Sequence, residues 1–343
     1  MPLKNILILL AVIAVVHVVV IFSFAGGCSS KKSAKNNSGD RVVETAKEGV
    51  TPAPQLPPPP PPEKKAKPAK PWNYSKKSAL PKKFAAQSDK ARSGIIVELG
   101  SRRVLWEKNA RKAVPVASLT KLMTALLVAE ELENNKNFSV KDMVEISKTA
   151  AGTEGYGFTA GEVLTVNDLI SAMMIRSTND AAVQLAEMLA GSEAEFVKKM
   201  NRRASELGMK EVRFNSASGL PMGKKRENSI ATAENIVELC EALLEFECIT
   251  GVCGKSSAKL SNGKEIHTTN GLLKHPTKAR PNWRKVPGLI GFKTGYTNAA
   301  GCCLAFGVVR NNRTLLGCVT GFPSSADRER FCSDLIEWAY KTR

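Results

Sequence analysis

Ala117-Ser-Leu-Thr-Lys-Leu-Met-Thr-Ala-Leu-Leu-Val-Ala-Glu-Glu131 carries its apolar residues at helical spacing, with Leu122, Ala125, Leu126 and Ala129 on one face. Ser118 and Lys121 stand three apart where this helix opens, so a hydroxyl and an amine can meet on one side of it. The N-terminus of a helix favours negative charge developing at the serine. A lysine among apolar neighbours can lose its proton and act as a base. S-x-x-K spacing occurs four times, at Ser29/Lys32, Ser118/Lys121, Ser256/Lys259 and Ser261/Lys264. The first lies in a polar N-terminal segment and the last two in a Lys-rich, Gly-containing loop. Only Ser118 opens an apolar helix.

Working outward, strands are predicted over 93–99 and 102–106, a hairpin about Gly100-Ser101. Helices follow over about 166–175, 180–189, 193–207 and 232–246. Strand character returns over 288–294, 301–309 and 314–321, the last two flanking a turn at 310–313, and 325–340 closes the chain as a helix. Strands at both ends with helices between predict an α/β chain of the α+β kind. Its antiparallel sheet would be flanked by helices, with a helical subdomain and a cleft between the two.

Two further motifs stand out. Ser177-Thr-Asn179 is the single S-x-N and falls between two predicted helices, where a capping serine or asparagine would also be ordinary. Lys293-Thr-Gly295 is the single K-T-G and ends an apolar strand, where glycine permits close approach of a ligand. In the order S-x-x-K, S-x-N, K-T-G, the three match the set shared by penicillin-binding proteins and serine β-lactamases. The match extends to Ser177-Thr-Asn-Asp-Ala-Ala182, to Phe196-Val-Lys-Lys-Met-Asn-Arg-Arg-Ala204 with Leu207-Gly-Met209, to Asn270-Gly-Leu-Leu273, and to Gly291-Phe-Lys-Thr-Gly-Tyr-Thr297 with Ala300-Gly301. With these stretches, about 88–343 resembles the D-alanyl-D-alanine carboxypeptidase family, the low-molecular-mass penicillin-binding proteins.

The resemblance implies a β-lactamase/transpeptidase-like fold and a serine peptidase acting on peptidoglycan stem peptides, with β-lactam antibiotics as covalent inhibitors and no cofactor or metal. Ser118 would be the nucleophile and Lys121 its general base. Ser177 would relay a proton to the leaving amine, and Asn179 would hold substrate and Lys121. Lys293 and Thr294, beside Gly295, would bind the terminal carboxylate. The backbone N–H groups of Ser118 and Tyr296 would form the oxyanion hole, so the position of Tyr296 matters more than its phenol. Arg328 resembles a family arginine supporting the carboxylate pocket; a solvated helix-start arginine is the alternative. Pro221 stands where the family often has Asp, and Gly223-Lys-Lys-Arg-Glu-Asn228 is a charged insertion expected to border the cleft. Three alternatives stay open: a D,D-endopeptidase cutting cross-links with the same residues, a serine β-lactamase, and a non-catalytic wall-binding protein. A β-lactamase needs a second base, usually in an E-x-x-L-N stretch, and none is found here.

Length and composition set the frame. The 343 residues are 43% hydrophobic and 24% charged, with a formal net charge of +18. Residues 1–88 hold 14 Lys/Arg against 4 Asp/Glu, and 89–343 hold 36 against 28, so over half of the excess lies in the N-terminal quarter. A nucleic-acid partner is therefore not expected. Histidines occur only at 17, 267 and 275, which leaves too few for a His-rich metal site. G-x-S-x-G, H-E-x-x-H and G-x-x-x-x-G-K-[ST] are absent from the sequence. Gly155-Tyr-Gly-Phe-Thr-Ala160 fits G-x-G-x-x-A, yet no buried strand precedes it, so it is not read as a dinucleotide site.

The organisation read from the sequence has three parts. Residues 1–28 are a signal anchor or a lipoprotein signal, with the apolar run 6–27 long enough to span a bilayer and Cys28 the candidate lipidation site. Residues 29–87 are a Lys/Pro-rich tether containing the proline run 57–62. Residues 88–343 are the catalytic domain, which the anchor would hold to the membrane on its extracytoplasmic side. Seven cysteines lie in that domain; most are expected to be small buried hydrophobes, with Cys302 and Cys303 on opposite faces of one strand and so not both in the core.

Overall fold

The computed structural model describes residues 72–76, 78–155, 157–281 and 283–341. The apolar run 6–27, Cys28 and the tether as far as residue 71 lie outside the described residues. Among the described residues no helix is long and apolar enough to cross a membrane.

Twelve strands follow in chain order among the described residues. They are β1 (Ser75–Lys76), β2 (Ser93–Glu98), β3 (Arg103–Lys108), β4 (Val114–Pro115), β5 (Met143–Glu145), β6 (Val163–Thr165) and β7 (Ile230–Ala231), then β8 (Ser257–Lys259), β9 (Glu265–His267), β10 (Leu289–Thr297), β11 (Gly301–Arg310) and β12 (Arg313–Phe322). The main sheet has the order β1-β3-β2-β12-β11-β10, so strands from both ends of the domain pair at its centre. All its pairings are antiparallel except that of β1 with β3. The turn between β11 and β12 is made by Asn311 and Asn312, with φ of 48° and 61°. Two left-handed residues in a two-residue loop match the twist of the strands they join, and asparagine adopts that region readily.

Helices cover both faces of the sheet. On one side lie α1 (Ala85–Asp89) and α9 (Ser325–Lys341), whose Phe331 packs with Trp106, Phe306 and Phe322. On the other lie α2 (Lys121–Asn134), α3 (Lys148–Ala151), α4 (Val166–Ser171), α5 (Asn179–Ala190), α6 (Glu193–Glu206), α7 (Ala233–Leu243) and α8 (Glu247–Cys253). Of these, α7 packs on β2, β11 and β12, and α2 packs on α5 and α7. Because both faces are covered, Cys302 (8% exposed) and Cys303 (0%) are both buried, each on its own side. The expectation that one must face solvent is corrected by this: alternation separates faces, but it exposes one only when a sheet is bare on that side. All seven described cysteines are free thiols, six of them buried.

The boundary at residue 88 is also corrected. β1 pairs in parallel with β3, and Tyr74 donates from its hydroxyl to Glu241 (2.8 Å) while accepting from Arg102 (2.9 Å). Ser88 of α1 accepts from the Trp106 indole N–H at 3.1 Å. Lys and Pro dominate the composition over 57–83, which hides the few side chains that dock 72–87 onto the domain. The α8 helix and the β8–β9 hairpin are likewise absent from the sequence-based prediction. Both are short, and their apolar positions are too few to set a period.

Candidate active site

The 117–131 segment is not one helix. Residues Ala117–Thr120 form a 3-10 turn, and α2 begins at Lys121. With three residues per turn, positions i and i+3 eclipse, which sets Ser118 directly over Lys121. Ala117, just before the serine, is left-handed at φ 48°. Gly219 explains how that turn is held: a Cβ there would lie 2.1 Å from the Ala117 carbonyl oxygen. From the sheet side, a Cβ on Gly295 would lie 3.1 Å from the Ser118 backbone nitrogen. Two glycines therefore let the 217–220 loop and strand β10 close on the serine from either side.

Lys121 is fully buried, yet its Nζ donates three hydrogen bonds: to Ser118 Oγ at 3.1 Å, Asn179 Oδ1 at 2.7 Å and the Ser218 carbonyl at 2.6 Å. Burial holds its ammonium well below the ordinary lysine range, and the positive charge of Lys293 pushes the same way, while Asp180 and Glu193 oppose them. Asn179 is fixed in turn by donating to the Glu154 carbonyl at 2.7 Å.

The second predicted helix of this region is broken as well. α4 gives way to a π-helical turn over Ala172–Arg176, which ends at Ser177 with φ 70°. A left-handed serine after a π turn is a strained arrangement of the kind found at functional sites. It aims Ser177 at the sheet, where its Oγ accepts from Lys293 Nζ at 2.8 Å. Lys293 is 1% exposed, and burial brings it down to about 7, with Cys253 acting against the shift and Arg328 with it. Thr294 shares a 2.5 Å hydrogen bond with Thr269 through their hydroxyls. Two linked groups result. Lys121 joins Ser118 and Asn179, and Lys293 joins Ser177 to the strand carrying Thr294.

Residues 81–324 match the family model described as D-alanyl-D-alanine carboxypeptidase. The chain belongs to that family. It is similar to the D-alanyl-D-alanine carboxypeptidase DacF of Bacillus subtilis, at 32% identity over 274 residues, 76% of this chain and 67% of that protein. It is also similar to DacC of Escherichia coli, at 29% over 277 residues, 76% of this chain and 65% of that protein. The chain thus spans about two thirds of the length of these curated relatives. Among solved structures, penicillin-binding protein D2 from Listeria monocytogenes in its ampicillin-bound form superposes with a TM-score of 0.64 at 28% identity, over 73% of this chain and 98% of that one. A peptidoglycan synthesis regulatory factor from Streptococcus pneumoniae does so at 0.66 and 28%, over 74% and 80%. The β-lactamase/transpeptidase-like fold expected from the sequence is the fold of these penicillin-binding relatives.

Other residues of this D-alanyl-D-alanine carboxypeptidase family member fall as follows. Tyr296 is 64% exposed, and its phenol donates to Asn298 at 3.1 Å, away from the lysines. Arg328 is 3% exposed, pairs with Glu329 at 3.0 Å and donates to the Cys303 carbonyl at 3.1 Å. It is thus no solvated arginine, and none of its hydrogen bonds reaches Ser118, Ser177, Thr294 or either lysine. Cys303 stands opposite Gly295 in the ladder, so Arg328 braces the sheet one strand behind the K-T-G motif. The 223–228 insertion lies on a tight turn whose ends, Met222 and Glu227, pair with each other. Four participants went unread in the sequence: Thr269, the carbonyls of Ser218 and Glu154, and Glu193, whose carboxylate accepts from the Ala217 N–H at 2.8 Å beside the Ser218 carbonyl. Thr269 adjoins the Asn270–Leu273 stretch and was within reach of motif reading. Backbone carbonyls leave no mark in side-chain identity.

Proposed function

We propose that the protein is a serine-type D-alanyl-D-alanine carboxypeptidase that removes the terminal D-alanine from peptidoglycan stem peptides. The observation that carries this reading is the reach of Lys121 Nζ to both Ser118 Oγ and Asn179 Oδ1 from a fully buried position. A neutral Lys121 takes the Ser118 proton as Oγ attacks the carbonyl between the two D-alanines. The oxyanion that forms faces the N–H groups of Ser118 and Tyr296, each worth about 10²–10³ in rate for such a site. As the C–N bond breaks, the proton passes through Ser177 to the leaving amine, with Lys293 steadying the Ser177 hydroxyl. Water then attacks the acyl carbon and gives a proton to Lys121, and as the C–Oγ bond breaks Lys121 returns that proton to Ser118 Oγ. Thr294 and Lys293 receive the terminal carboxylate, and Arg328 braces β11, the strand paired with the one that carries them.

A penicillin would acylate the same serine. The organisation that fits is an N-terminal anchor, either a spanning segment or a lipidated Cys28, followed by a tether that leaves the catalytic domain outside the cytoplasm at the wall. The test is intact-mass spectrometry of the protein with a penicillin, with the adduct mapped, alongside hydrolysis of a pentapeptide ending in D-alanyl-D-alanine. The expected result is a persistent adduct on Ser118 and release of free D-alanine. Ser118→Ala should lose about 10³-fold or more of turnover and all adduct while keeping its fold. A transient adduct with the drug consumed would make the protein a β-lactamase. No adduct on a folded protein would leave a wall-binding module.

A further inference from the structure

From Ile266 to Ala326 the sequence contains no Asp or Glu. Within that stretch, the loop leading from Leu273 to β10 gathers Lys274, Lys278, Arg280, Arg284 and Lys285. The loop is built, with backbone bonds from Arg284 N to the Gly271 carbonyl (3.1 Å), from Val286 N to the Leu272 carbonyl (2.9 Å) and between Thr277 and Arg280. Trp283 sits at its middle, with Lys274 Nζ 4.6 Å and the Arg280 guanidinium 6.0 Å from the ring centroid. The indole holds two cations close together that would otherwise repel. None of the five basic side chains has an ion pair among the described residues. Lys274 is held below its ordinary value by burial first and then by the like charges of Arg176 and Arg280 beside it.

The place of the loop says what it would meet. It grows directly from Thr269-Asn270-Gly-Leu-Leu273, whose Thr269 hydroxyl bonds Thr294 and whose Asn270 amide donates to the Gly291 carbonyl of β10. That is the flank on which Thr294 would receive the carboxylate of the leaving D-alanine. We infer that Lys274 and Arg280, framed on Trp283, are specificity-determining residues for a second carboxylate on the leaving side of the scissile bond. A lone leaving D-alanine has one carboxylate, which Thr294 and Lys293 take. A leaving fragment that is itself an acidic peptide, as in a cross-linked dimer, carries further carboxylates past that point, where the basic loop begins. The inference rests on the peptidase reading above and extends it to the substrate class: cross-linked peptides with an acidic acceptor strand.

The experiment compares kcat/KM on a D,D-cross-linked peptide dimer, on the same dimer with its acceptor carboxylates amidated, and on a simple pentapeptide, for the full chain and for Lys274→Ala/Arg280→Ala. The expected result is a free-acid over amidated preference of at least about fivefold in the native chain, seen in KM and weakened by salt. The double variant should lose that preference while its pentapeptide turnover and its penicillin acylation at Ser118 stay within twofold. An equal loss on all three substrates, or no loss on any, overturns the inference. Should no peptide be cleaved while penicillin still acylates Ser118, the peptidase reading fails separately. Titrating the penicilloyl protein with the free-acid and amidated acceptor peptides then still decides whether the loop binds carboxylate, and equal affinities overturn it.

Discussion

In the proposed mechanism Lys121 and Lys293, both buried amines, have different duties. Lys121 must be neutral to accept a proton, and it is pushed that way by burial and by Lys293. Lys293 must be charged to draw a carboxylate, and it sits near 7. Below about pH 7 Lys293 therefore carries its charge in the free enzyme, and above that it progressively loses it. The kcat/KM profile should show a descending limb near pH 7, up to about tenfold per unit, because kcat/KM reports the free enzyme. In the complex the substrate carboxylate favours the ammonium, so the limb in kcat should move to higher pH. Lys293→Arg keeps the charge and should lose the limb; a limb unmoved in that variant would assign it to another group. At this scale the sequence was most informative. Ser118, Lys121, Ser177, Asn179, Lys293 and Thr294 are all named by three motifs, and the structure brings them together. It was silent on Glu193, whose negative charge favours the Lys121 ammonium and which belongs to no motif.

Elements bend where the chemistry lies. Both predicted helices that lead into the site change character within one turn of it, the first to a 3-10 turn at Ser118 and the second to a π turn at Ser177. Hydrophobic periodicity marks both helices and gives no hint of either change, because it reports which face is buried and not how tightly the backbone is wound. At the first, the loop at Gly219 closes on the turn. Its φ of 83° suits glycine, and a Cβ would strike the Ala117 carbonyl. Gly219→Ala should cost at least about 1–2 kcal/mol from the left-handed backbone alone. Moving the Ser118 turn by about 1 Å should slow acylation by roughly 10²-fold. Stopped-flow acylation by a fluorescent penicillin measures this; an unchanged rate would mean that the loop, not the serine, gives way.

Across the whole molecule, the sheet is closed by strands from opposite ends of the domain, with an N-terminal arm laid along its edge. The arm was read as tether because lysine and proline fill it, and composition cannot register one tyrosine with a partner 167 residues away. Tyr74→Phe removes a hydroxyl that joins Glu241 and Arg102, and should cost about 1–2 kcal/mol. For a domain of this size that lowers Tm by about 2–4 °C per kcal/mol. A chain begun at residue 88 should melt lower still than Tyr74→Phe, since it lacks β1 and the start of the arm altogether. Equal melting of the two by calorimetry would return the boundary to residue 88.

The six buried thiols give the domain a built-in clock. Burial raises every one of them, Cys253 and Cys332 to about 12, Cys240 and Cys318 well above their usual value. The thiolate is the species that oxidants and alkylating reagents attack, so among the described cysteines the native fold leaves little open to them beyond half-buried Cys248. Once the chain opens, all seven return to ordinary acidity together. In an oxidising compartment the fold alone then stands between these sulfurs and random cross-linking, and their survival depends on how seldom the domain opens rather than on how stable it is on average. Slow loss of activity in oxidant would count openings one by one.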